Sequence, residues 1–79
     1  MNVFKLVEKL DKLGAANLKL NFARVEEDCI FGSFTYLGSR YNIDVFNESI
    51  VVSCFNLPNG QLFHECESIK ELIQILKEV

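Results

Sequence analysis

Cys54, His64 and Cys66 are the residues of this chain whose types could do the sharpest chemistry. A histidine beside a cysteine can draw off the thiol proton, and two thiolates with an imidazole make three soft ligands for zinc. The turn Leu57-Pro58-Asn59-Gly60 suits a type I geometry closed by a glycine bulge, because proline presets the second position and glycine accepts a left-handed one. In that register Cys54 faces His64, and Val52 faces Cys66. Neither device is complete: Cys29 falls on the opposite sheet face, so no fourth ligand is at hand. All three groups also point toward the helices, where cysteine behaves as a small apolar side chain. We expect packed cysteines with a histidine at the core margin, and keep a thiol or zinc module at Cys54, His64 and Cys66 as the alternative.

A shift of the last strand by one residue would instead turn His64 outward, beside Ser53 and near Asn42, with Asp44 further along. That is the parts list of a hydrolase without a nucleophile elbow or a glycine-rich oxyanion loop. Glu26, Glu27 and Asp28 form an acidic run that lacks the alternating oxygens, glycine and distal glutamate of a calcium loop. It reads as a solvated hairpin tip, of the kind that keeps sheet edges from pairing. We therefore expect a protein that is not an enzyme, with no catalytic residue, no metal site and no cofactor.

The elements that position these groups are read from hydrophobic period and turn chemistry. Val3, Leu6, Val7, Leu10 and Leu13 recur at spacings of three and four, with charged residues opposite, which predicts an amphipathic helix stopping at Gly14. Ser68-Ile69-Lys70-Glu71 has the S-x-x-E pattern of a capping box, in which the glutamate reaches back to the serine N–H. Leu72, Ile73, Leu76 and Val79 follow on one face, predicting a second helix. Between the two helices the period is two, and turn residues divide the stretch into strands at about 18–25, 29–37, 40–46, 49–56 and 61–66. Connections this short permit only antiparallel neighbours.

Turn types suggest the pairing. Gly38-Ser39 as a two-residue hairpin sets Tyr36 opposite Tyr41, Phe34 opposite Ile43 and Phe31 opposite Phe46. Asn47-Glu48 sets Val45 opposite Ile50 and Ile43 opposite Val52. A loop at Glu26 to Asp28 sets Leu20 opposite Phe34 and Phe22 opposite Gly32. One face then holds Leu18, Leu20, Phe22, Ile30, Phe34, Tyr36, Tyr41, Ile43, Val45, Ile50, Val52 and Cys54. Two helices of about 10 Å diameter are needed to cover a five-stranded sheet of roughly 20 Å width. The expected fold is a two-layer α+β sandwich in residues 1–79: N-terminal helix, antiparallel meander of four to five strands, C-terminal helix, with both helices on one sheet face.

The other face is the unusual one. The 79 residues include seven phenylalanines, and four of them, Phe31, Phe46, Phe55 and Phe63, point away from the helices. Phe31 with Phe46, flanked by Ala23, Val25 and Val51, forms one expected cross-strand pair. Phe55 with Phe63, beside Arg40, forms the second, and Ser33, Asn42, Asp44 and Ser53 make a polar band between them. Such aromatics serve a partner or dimer surface, or are covered by a helix crossing over, or stack on single-stranded nucleic acid. A net charge of −3 with eight Lys and Arg argues against general nucleic-acid binding, which draws on basic groups. The candidate partner surface is Phe31, Phe46, Val51, Phe55, Phe63, Arg40 and Asp44.

The apolar runs are too short for a membrane span, the N-terminus lacks an apolar signal-peptide core, and three unpaired cysteines fit a reducing compartment. A cytoplasmic domain that binds a protein, or a second copy of itself, is the expectation. In outline, an opening helix followed by a short meander in a small acidic domain resembles anti-CRISPR and other phage-type inhibitors. That resemblance is one of layout, and it implies occlusion of a host or defence protein.

Overall fold

The structure, a computed structural model, describes residues 2–21, 29–58 and 60–79. Helix α1 (Val3–Leu13) opens the chain, strands β1 (Ala16–Asn21), β2 (Cys29–Tyr36), β3 (Ser39–Phe46), β4 (Ile50–Leu57) and β5 (Gly60–Cys66) follow, and helix α2 (Ile69–Glu78) ends it. The strands form one antiparallel sheet in the order β1-β2-β3-β4-β5. This is the expected α+β meander.

Both helix starts are capped by side chains. The Asn2 carboxamide oxygen accepts from the N–H groups of Phe4 and Lys5, satisfying donors that a helix cannot satisfy itself. Gly14 ends α1 with φ 102°, and its N–H donates to Asp11. At α2 the Ser68 hydroxyl accepts from the Glu71 N–H at 3.1 Å. The return half of the box differs from the expectation, since Glu71 accepts from the N–H of Glu67, at 2.9 Å, rather than from that of Ser68.

The core lies between the helices and one sheet face. Leu6 and Leu10 of α1 and Leu72 and Leu76 of α2 are sealed against Phe34, Tyr41, Ile43, Val45, Ile50, Val52, Cys54 and Cys66. Leu18, Leu20, Ile30 and Tyr36 pack at its margin. Helix α2 lies on β4 and β5 and against α1, so both helices serve this face.

Face membership follows the sequence reading, but pairing follows it in only one hairpin. Val45 opposes Ile50 and Ile43 opposes Val52, as the Asn47-Glu48 turn implies. The other three ladders are displaced by two residues from the predicted register.

In the β2–β3 hairpin the loop residues are Leu37 and Gly38, both with positive φ (50° and 81°), so glycine takes the second loop position rather than the first. Tyr36 then faces Ser39, and Phe34 faces Tyr41 with rings 5.2 Å apart and 9° from parallel. This places a stacked aromatic pair at the centre of the core.

In the β1–β2 ladder Leu20 lies opposite Gly32 rather than Phe34. A methyl group added at Gly32 would come within 2.5 Å of Leu20 Cδ2 and 2.6 Å of the Lys19 carbonyl oxygen. The bare backbone is thus what lets Leu20 lie across this strand. Phe22, Ala23, Val25 and the expected turn at Glu26 to Asp28 lie outside the described residues.

In the β4–β5 ladder Leu57 pairs with Gly60, which has φ 120°, but Cys54 pairs with Leu62. The irregularity falls between Cys54 and Leu57, placing the extra residue on β4 rather than at the glycine. Away from the irregular ends at Ala16–Lys19 and Cys54–Leu57, each displacement is two residues, so the two-residue alternation keeps each side chain of the regular ladder on its face.

Candidate functional site

The outer sheet face is built by the alternate residues of the five strands. Lys19 and Asn21 come from β1, Phe31, Ser33 and Thr35 from β2, and Arg40, Asn42, Asp44 and Phe46 from β3. Val51, Ser53 and Phe55 come from β4, and Phe63 and Glu65 from β5. The sheet is open at β1 and β5, and neither helix crosses to this side.

Its phenylalanines are not equivalent. Phe63, whose facing depended on the final turn, stands outward across from Ser53 and is 75% exposed; Phe55 on the neighbouring strand is 65% exposed. Phe46 is 39% exposed and Phe31 half-buried. Phe31 lies opposite Asp44 rather than Phe46, whose partner is Cys29. The direct Phe31–Phe46 and Phe55–Phe63 pairs inferred from the turns are therefore corrected: a two-residue displacement turns each directly opposed pair into a diagonal one. Phe4, on α1, is also exposed.

Charge on this face is balanced. Lys19, Arg40 and Glu65 are exposed and Asp44 is half-buried, giving two cations and two anions among the described residues of this face. Burial pushes the Asp44 carboxyl above its ordinary value. Toward β1, Lys19 and Arg40 border a depression of about 280 Å3 whose floor includes Phe31, Gly32 and Ser33. The outer face thus has a protruding aromatic end at β4–β5 and a recessed cationic end at β1–β3.

The thiol and imidazole groups are not assembled into a second site. Cys54 faces Leu62, His64 faces Val52 and Cys66 faces Ile50. Cys54 and Cys66 therefore sit four residues apart along the ladder, roughly 13 Å. Cys54 Sγ donates to Asn56 Oδ1 at 3.1 Å across the β4 irregularity. The Cys66 thiol is pushed up to about 11 by burial and, secondarily, by the Glu71 carboxylate, so it stays protonated at neutral pH and is a poor nucleophile and metal ligand.

His64 lies on the helix side but is exposed rather than packed at the core margin as expected, and turns Nε2 to Glu71 Oε1 at 3.4 Å. The Glu71 carboxyl is held below its usual range, first by the Glu67 N–H and then by His64. No group of three or more His, Cys, Asp or Glu among the described residues is arranged to hold a metal ion. The one-residue shift that would bring His64 beside Ser53 does not occur; Ser53 is outward and His64 is on the helix side.

No family model, curated protein or solved structure matches the chain. No helix among the described residues is long and apolar enough to cross a membrane.

The sequence reading missed two features. The first is the Asn2 cap, signalled by an asparagine just before the apolar period begins. The second is a cluster of lysines on the helical side. Lys5 with Lys9, and Lys70 with Lys77, are spaced so that each pair flanks its helix's apolar stripe.

Proposed function

We propose that this chain is a non-enzymatic, cytoplasmic protein-binding domain that self-associates through the outer face of its sheet. The exposure of Phe63 and Phe55 on adjacent strands of an uncovered face carries this reading. Large apolar side chains grouped on one surface mark interfaces more often than scattered ones do. The three cysteines are buried and form no disulfide with one another, an arrangement that suits a cytoplasmic setting.

A second copy is favoured as partner because the face complements itself. A two-fold axis through the polar band would seat the protruding Phe63 of one copy over the Lys19–Arg40 depression of the other, and the reverse. Cations over aromatic rings attract, and Asp44 and Glu65 offset the remaining positive charge. The chain carries −3 overall, yet the charges of the described residues on this face balance, so they do not oppose the approach.

Sedimentation velocity across a concentration series tests the reading. The expected result is a monomer–dimer equilibrium that Phe63→Ser weakens by about tenfold or more, with an unchanged circular dichroism spectrum. A strict monomer at millimolar concentration, or a dimer indifferent to Phe55→Ser and Phe63→Ser, would overturn it. A strict monomer would also make occlusion of a different protein the reading to pursue.

A further inference from the structure

The helical side carries a second surface of different chemistry. A groove of about 560 Å3 runs between α1 and α2, with Ile69 and Ile73 in its apolar lining and Lys5, Lys9, Lys70 and Lys77 around it. Half of the eight basic residues of an acidic chain thus border one groove. No described carboxylate lines it or pairs with any of these four lysines, whereas Lys12 on α1 is tied to Glu8 at 3.1 Å.

Like charges brought this close repel unless an anion joins them. Ile69 and Ile73, one helical turn apart, remain only partly buried. An occupant that satisfies both features has negative charge on two flanks and an apolar ridge between.

We propose that the α1–α2 groove is a docking site for an acidic amphipathic helix of a partner protein. The extent of the rim favours a helix over a single anionic headgroup. Lys5 and Lys9 are separated by about 6 Å of helix and Lys70 and Lys77 by about 10 Å, on opposite sides of the floor. That is a track for repeated carboxylates along one or two helical turns, with leucine-like anchors at i, i+3 or i+4 entering between the lysines. The site is on the other side of the molecule from the outer sheet face, so it stands or falls independently of self-association.

The test uses the full chain and a synthetic helical peptide with leucine at i, i+3, i+4 and i+7 and glutamate on both flanks. Its controls are a scrambled peptide of the same composition and a version with lysine for glutamate. Fluorescence anisotropy should show binding of the first peptide only, weakening steeply with salt, and methyl NMR shifts should centre on Ile69 and Ile73. Lys9→Glu with Lys70→Glu should cut affinity by at least about tenfold, and Lys9→Ala with Lys70→Ala should cut it less, both with an unchanged circular dichroism spectrum. Equal binding of the scrambled peptide, no binding of the acidic one, or affinity indifferent to the lysine substitutions would overturn the proposal. Sedimentation of the protein with phosphatidylglycerol vesicles, without binding of the acidic peptide, would assign the groove to a membrane surface instead and also overturn it.

Discussion

The two faces of one sheet use the same strands to opposite ends. On the helix side Phe34 and Tyr41 are each 1% exposed and stacked, with Ile43, Val52 and Cys54 sealed around them. On the other side Phe55 and Phe63 reach 65% and 75% exposure, and polar residues stand directly beside the aromatics, Ser53 across from Phe63 and Asp44 across from Phe31. Burial of an aromatic side chain contributes stability wherever it occurs, so the inner aromatics hold the domain together while the outer ones stabilise it only when something covers them. The difference separates residues of stability from residues of association, and each can be altered without the other.

The largest expected effect is on the inner face. Phe34→Ala removes a fully buried ring and should cost about 3–5 kcal/mol, a large share of the roughly 4–12 kcal/mol expected of a domain this size. Urea denaturation will report it as a collapse of the folded baseline. Phe63→Ser, measured below the dissociation concentration, should change monomer stability by no more than about 0.5 kcal/mol. A comparable loss from both substitutions would erase the distinction between the faces.

Gly32→Ala should come next. The added methyl meets Leu20 Cδ2 and the Lys19 carbonyl, and because one contact is backbone, β1 must move; we expect a loss of about 1–3 kcal/mol by thermal or urea unfolding. Ser68→Ala removes the hydroxyl that caps Glu71 and should cost about 1 kcal/mol.

The smallest effects are acid–base, and they have opposite signs on the two sides. Glu71, on the helix side, has a folded pKa below the ordinary 4.5, so its contribution is present above 4.5 and lost as pH falls through the lower folded value. Glu71→Gln should flatten the acid limb of stability. Asp44, on the outer face, has a folded pKa raised above 3.8 by burial, so its contribution is most favourable below 3.8 and declines as pH rises through the folded value. Asp44→Asn should slightly raise stability at neutral pH. Stability measured against pH for both variants checks the two signs.

How far the sequence could be read follows from the same alternation. Leu13-Gly14, Ser68 to Glu71 and the turn residues marked where elements start and stop, because capping and turn chemistry are local. Which face each strand residue occupies depends only on parity, and it survived a displacement of two residues in three ladders. Cross-strand partners depend on absolute register, which here turned on Leu37 adopting a left-handed conformation and on an extra residue in β4 near Phe55 and Asn56. Leucine rarely adopts that conformation, so no turn rule based on glycine would choose it. The expected Phe31–Phe46, Phe55–Phe63 and Cys54–His64 pairings failed for this reason, while the outward facing of Phe63 did not. The lysine groove needed more still: it exists only because α1 and α2 pack side by side, a tertiary fact that neither helix records alone.

Isotope-filtered NOE spectroscopy on a mixture of labelled and unlabelled copies tests the central claim most directly. Self-association through the outer face predicts intermolecular contacts from the Phe63 and Phe55 rings to residues near Lys19, Ser33 and Arg40. Intermolecular contacts confined to the helical side, or none at concentrations where sedimentation shows a dimer forming, would contradict it.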